Sequence, residues 1–162
     1  MNAVKQTNTS TGDLGDATFK RSTETPQNLI EQLKLTLPEK FEEYSDKYFL
    51  RTHEILNKEG LNPWVRAQVF VRKGPGEVAG INETLAIIDK YTDLKKNGGK
   101  VFALPEGSSY DSKETLLVIE GPIQDIIALE TIYLGVISAE TTKRNEGIEH
   151  VDLDAAEANM RK

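Results

Sequence analysis

The stretch KVFALPEGSSYDSKETLLVIEGPIQDIIALETIYLGVIS, residues 100–138, decides the fold. Two short apolar runs, KVFALPEG and ETLLVIEG, are separated by the turn-rich SSYDS, so each predicts a strand. A longer apolar run, GPIQDIIALETIYLGVIS, follows at once and predicts a helix with Pro122 just inside its start. Its apolar residues occupy nearly the whole helical circumference, which implies burial on several sides.

Working outward, NPWVRAQVFVRKG alternates Val65, Ala67, Val69 and Val71 against Arg66, Gln68, Phe70 and Arg72, the pattern of a strand with one aliphatic face. GPGEVAGINETLAIIDKYTDLKKNGG reads as a turn and then a helix with Ile81, Leu85, Ile88 and Tyr91 on one side. Upstream, Thr25 and Pro26 predict a helix start, with Leu29, Ile30, Leu33 and Leu37 at helical spacing. Pro38 interrupts, and PEKFEEYSDKYFLRTHEILNKEG predicts a short helix and then a longer one ended by Gly60. Strands and helices follow one another without a repeated βα rhythm, so the class is α+β.

The ends differ in composition. Residues 1–25 are mostly polar, with Phe19 as their only aromatic, and are expected to form a flexible tail. The segment after 142 is polar and split by Gly147, and DLDAAEANMRK reads as the opening of a helix. The expected organisation is a tail at 1–25, an α+β domain at 26–142, and at 143–162 a linker with the start of a helix.

Composition narrows the function. The chain has 162 residues, 28% charged residues, a net charge of −6 and no cysteine. An acidic balance argues against a general nucleic-acid partner. Disulfides and thiolate metal sites are excluded, and two widely separated histidines, His53 and His150, offer no metal-ligand spacing. The apolar run near residue 130 is too short and too polar for a membrane span. The N-terminus lacks the apolar segment of a secretion signal, so the expected location is cytoplasmic. No Gly-x-Ser-x-Gly is present, and GPGEVAG lacks the lysine and spacing of a phosphate loop. Taken alone, the residues form no complete active site.

SDKYFLRTHEIL, residues 45–56, is the exception that asks for more. Periodicity places Tyr48, Phe49, Ile55 and Leu56 on a buried helix face, yet Asp46, Arg51 and His53 crowd beside them. Together with Leu104-Pro105-Glu106-Gly107, Ile119-Glu120-Gly121-Pro122, Leu129-Glu130-Thr131 and Leu134-Gly135, this block resembles the N-terminal domain of nicotinate phosphoribosyltransferase, especially the compact bacterial and archaeal type. The resemblance runs from about Phe41 to Ser138.

It implies the N-terminal domain of a type II phosphoribosyltransferase, with mixed helices and a small, largely antiparallel sheet, and with the catalytic α/β barrel absent from this chain. Such enzymes join nicotinate to phosphoribosyl pyrophosphate in NAD salvage. The resemblance further implies a dimer in which this domain covers a partner's barrel, with phosphoribosyl pyrophosphate, Mg2+ and ATP used by the complete enzyme. It gives Tyr48 the role of stacking on the pyridine ring, Asp46 that of orienting the helix start, and Arg51 that of supplying charge toward a carboxylate or phosphate. On the residue pattern, both Arg51 and His53 are expected on a solvated helix face. No catalytic residue and no metal ligand is expected here, and the chain alone is expected to be inactive. Ala139-Glu140-Thr141-Thr142-Lys143 departs from the family's Thr-rich turn, where a small residue stands in place of the lysine. An alternative is a non-catalytic binding or regulatory module descended from the same domain. A third reading compares PEGSSYDSKETLLVIEG with the strands of biotinyl and lipoyl carriers, but no lysine stands at the required hairpin tip.

Overall fold

A computed structural model describes residues 20–21 and 29–147. The expected helix start at Thr25-Pro26 and the helix opening after residue 147 lie outside them, as does nearly all of the expected tail.

The elements run β1 (Lys20–Arg21), α1 (Leu29–Gln32), α2 (Lys47–Lys58), β2 (Trp64–Phe70), β3 (Gly76–Glu77), α3 (Ile81–Tyr91), β4 (Lys100–Ala103), β5 (Ser109–Tyr110), β6 (Thr115–Pro122) and α4 (Glu130–Glu146). Single 3-10 turns occupy Glu42–Tyr44, Ile123–Asp125 and Ile127–Leu129. One four-stranded antiparallel sheet has the order β1-β4-β6-β2, and β3 pairs with β5 in a separate two-stranded piece. This is the α+β class, with mixed helices, a small antiparallel sheet and, among the described residues, no closed barrel.

Sequence explains the strand positions. β6 carries TLLVIEGP, with Leu116, Leu117 and Ile119 essentially buried, as a central strand requires. β2 lies at the edge and alternates: Val65, Ala67 and Val69 are half-buried, while Trp64, Arg66, Gln68 and Phe70 are exposed. Register places Val65, Ala67 and Val69 beside Gly121, Ile119 and Leu117, and these beside Val101 and Ala103 of β4. That face joins Ile81, Leu85, Ile88, Tyr133 and Ile137 of α3 and α4 in one core. Gly121 is required at its position: a Cβ there would lie 2.4 Å from Leu94 Cδ1, in the space the leucine fills.

The start of α3 has an unusual cap. Gly80 stands at the N-cap with φ +85° and has no side chain to offer. Glu106, from the loop after β4, supplies the acceptors instead. Its carboxylate takes hydrogen bonds from Gly80 N at 3.1 Å, Ile81 N at 2.9 Å and Asn82 N at 3.2 Å. Three orphan donors and the positive end of the helix dipole are satisfied by one side chain. Just before that cap, Thr141 Oγ1 bonds both Ala79 N and Ala79 O, and Asn145 does the same for Glu77 through its amide. Residues four apart on α4 thus hold the main chain of residues two apart on an extended segment.

Several expectations need correction. Pro122 does not open a helix; it ends β6 opposite Trp64, and α4 starts only at Glu130. The reason is the two 3-10 turns between, held by Ile123 N to Pro63 O and by Gln124 N to Asn62 Oδ1. Nor is α4 buried all round: Tyr133, Ile137 and Thr141 are buried, while Leu134 and Gly135 face outward. It continues to Glu146, past the expected domain limit at 142, and Gly147 closes it in the left-handed conformation. Within the expected tail, Lys20–Arg21 pairs with Phe102 and Ala103 of β4.

Candidate functional site

α2 begins on a serine–aspartate pair. Asp46 is the N-cap, and its Oδ1 accepts Tyr48 N at 2.8 Å. The Asp46 N–H in turn donates to Thr131 Oγ1 at 3.1 Å, and the Ser45 hydroxyl donates to the Ala128 carbonyl. The first turn of α2 is therefore tied to the entry of α4 by two bonds spanning more than 80 positions of sequence. No residue of α2 is fully buried. Its inner side carries Phe49, Leu50 and Leu56, half-buried against the 3-10 turns.

Tyr48 is on the outer side. Its side chain is 69% exposed, which excludes the core position that periodicity assigned to it, and Ile55, also expected to be buried, is 61% exposed. The Tyr48 and Phe49 rings pack edge to face, with centroids 5.3 Å apart and planes at 78°. Arg51, three residues on and exposed, makes no ion pair among the described residues. The spacing brings a ring and a guanidinium to neighbouring positions of one helix face.

His53 departs from expectation. It is half-buried and lines a cleft of about 400 Å³ beneath α2, together with Phe41, Leu50, Lys90, Tyr91 and Asp93. The Phe41 and Tyr91 rings pack at 5.3 Å, Tyr91 Oη donates to Pro38 O, and Lys90 Nζ donates to the carbonyls of Leu37 and Pro38. Sequence reasoning missed this cleft because its walls come from four segments far apart in sequence. Tyr48 and Arg51 are not among its lining residues.

Beside the α2 anchor, burial pushes the Glu130 carboxyl up from its ordinary value. The neighbouring Tyr133 phenol is also pushed up, by burial first and by the charge of Glu130 second. Among the described residues no group of three His, Cys, Asp or Glu side chains converges to hold a metal ion. An exposed ring and an exposed guanidinium thus stand three positions apart at the head of α2.

Comparison with known proteins identifies the fold. Residues 46–140, more than half of the chain, match the family model described as quinolinate phosphoribosyl transferase, N-terminal domain. The fold is similar to a crystal structure of nicotinate-nucleotide pyrophosphorylase from Pyrococcus furiosus, with a TM-score of 0.53 and 27% sequence identity. That match covers 63% of this chain and 27% of the other, so the chain spans about a quarter of the length of that relative. No curated protein sequence matches.

Proposed function

The chain belongs to the quinolinate phosphoribosyl transferase N-terminal-domain family, the N-terminal domain of type II phosphoribosyltransferases, and from that premise we propose that it serves a phosphoribosyltransferase of pyridine nucleotide biosynthesis. The substrate of this reading is a pyridine carboxylate, with nicotinate the first choice. Tyr48 stacks on the pyridine ring, Arg51 faces the carboxylate, and Asp46 fixes the helix start that presents them. One observation carries it: the Tyr48 ring is open to solvent on a helix whose first turn is capped and anchored. An electron-poor ring on such a face gains about 0.5–1.5 kcal/mol beyond area burial.

The partner is a catalytic barrel, and the domain covers the barrel of a second subunit in a dimer. Phosphoribosyl pyrophosphate and Mg2+ bind on that barrel, as does the ATP of the salvage reaction. The setting is the cytoplasm. No helix among the described residues is long and apolar enough to cross a membrane. Quinolinate is the second reading, favoured by the description of the matching family. A non-catalytic module descended from this domain is the remaining alternative.

The test combines the chain with a barrel of this family and supplies phosphoribosyl pyrophosphate, Mg2+, ATP and either nicotinate or quinolinate. Mononucleotide formed from nicotinate, only when both proteins are present, is the expected result. Turnover of quinolinate alone transfers the reading to that substrate. No turnover of either refutes a catalytic role, and turnover by the chain without a barrel refutes the division of labour.

A further inference from the structure

β2 has an open side. It pairs with β6 only, and it is the last strand of the sheet among the described residues. The direction of its backbone groups follows from the register. Pro63 O accepts from Ile123 N, so Pro63 and Ile123 form a hydrogen-bonded pair. Alternation then turns the N–H and C=O groups of Val65, Ala67 and Val69 toward β6. Those of Trp64, Arg66, Gln68 and Phe70 point away from the sheet. A seven-residue edge with outward donors and acceptors is a template for another strand.

The sequence of that edge, WVRAQVF, is nearly its own mirror about Ala67. Lay a second copy antiparallel across a twofold axis through Ala67: Trp64 then meets Phe70, Val65 meets Val69, Arg66 meets Gln68, and Ala67 meets Ala67. The parity is right as well. Trp64–Phe70 and Arg66–Gln68 become hydrogen-bonded pairs using the outward groups, while the axis passes through a non-hydrogen-bonded pair, where side chains approach most closely and alanine fits. Other registers fare worse. An axis through Arg66 sets two guanidiniums face to face, and an axis through Gln68 loses the pairing of Trp64 with Phe70, setting Trp64 on Arg72 and Phe70 on Arg66 instead.

Two further observations fit a second copy. Trp64 and Phe70, at opposite ends of the strand, are 57% and 53% exposed, and the pairing brings each onto the other's partner. The one charge on the edge, Arg66, is already compensated by Glu120 within the chain, so two copies of a protein with net charge −6 meet here without a concentration of like charge. We propose that β2 is the seam of a homodimer of this chain, a contact separate from the one with a catalytic barrel, with an antiparallel β2–β2 ladder centred on Ala67 that joins two four-stranded sheets into one. The seam uses none of Tyr48, Asp46 or Arg51, and it does not depend on the substrate reading.

Sedimentation and light scattering of the full chain over a dilution series test the seam. A mass near twice 18.1 kDa that falls on dilution is expected. Gln68→Lys sets an added ammonium against Arg66 twice per dimer and is expected to weaken association about tenfold. Because the chain has no cysteine, register can be read directly. Ala67→Cys is expected to form a disulfide dimer on mild oxidation, since residues across a non-hydrogen-bonded pair lie within bridging distance. Arg66→Cys and Gln68→Cys, each facing the other position, are expected to stay unlinked. A monomer at every concentration, an association indifferent to Gln68→Lys, or linking through position 66 or 68 in preference to 67 overturns the proposal.

Discussion

Removing the Glu106 carboxylate tests whether one side chain holds the start of α3. In Glu106→Ala, the N–H groups of Gly80, Ile81 and Asn82 lose their acceptor at once, at sites where Gly80 and Ile81 are buried. A hydrogen bond to a charged group contributes about 1.5–3 kcal/mol net, loss of an ordinary N-cap costs about 1 kcal/mol, and the helix dipole adds about 0.3–1 kcal/mol. These terms overlap, because water reaches a half-buried site in the variant. A loss of about 2–4 kcal/mol is therefore expected. In a chain of this length that corresponds to a fall in Tm of about 5–15 °C. Glu106→Gln keeps one acceptor oxygen but turns an amide N–H2 toward the donors, so about half of that loss is expected. Calorimetry and urea unfolding of the three proteins at neutral pH provide the check. A change below about 0.5 kcal/mol for Glu106→Ala would refute the cap as the reason for glutamate here.

Tyr48→Ala is expected to leave Tm within about 1 °C, because the ring is mostly exposed, while weakening pyridine-carboxylate binding by the barrel-assembled enzyme by about 1–3 kcal/mol; Tyr48→Phe should change neither. Lost stability with unchanged affinity returns the ring to a packing role. Thr84 is fully buried, and its hydroxyl has no partner among the described residues, so Thr84→Val is expected to raise stability by about 1 kcal/mol in urea unfolding. Glu130 has its carboxyl raised by burial. Its contribution to stability is complete below the ordinary carboxylate value of 4.5 and is lost as pH rises through the folded-state value above it. Glu130→Gln should therefore stabilise the protein at pH 7 relative to wild type, and the difference should vanish near pH 3; an equal gain at both pH values contradicts the burial argument.

The residues that carry the family resemblance were legible, but their physical reasons were not. Asp46 stood out as orienting the start of its helix, and the structure makes it the N-cap. Glu106 looked like part of a motif, and only the fold shows it closing a helix that begins 25 residues earlier. Gly121 stood out as part of a motif, and it is the vacancy that Leu94 fills inside a strand pair. Periodicity found every long helix and strand, since those follow from local alternation and spacing. It misplaced Tyr48 and Ile55, because an apolar residue on a helix reads the same whether it meets a core or solvent. The start of α4 was misread for a related reason: the bonds to Pro63 and Asn62 that hold residues 123–124 in 3-10 turns come from some 60 positions away.

α2 is moored at both ends and nowhere sealed between. Ser45 and Asp46 hold its beginning to α4, and the Gln124 amide reaches the Leu61 carbonyl just beyond its end. Between those moorings a cleft runs beneath it and none of its residues is fully buried, whereas six residues of α3 are. Hydrogen exchange should therefore divide the protein into two tiers. The amides of α3 and β6 open only when the whole domain unfolds, while those of α2 open through a smaller, separate event that leaves the sheet intact. The middle of α2 is then the first part of the helix to exchange, while its anchored first turn, which bears Tyr48, exchanges later.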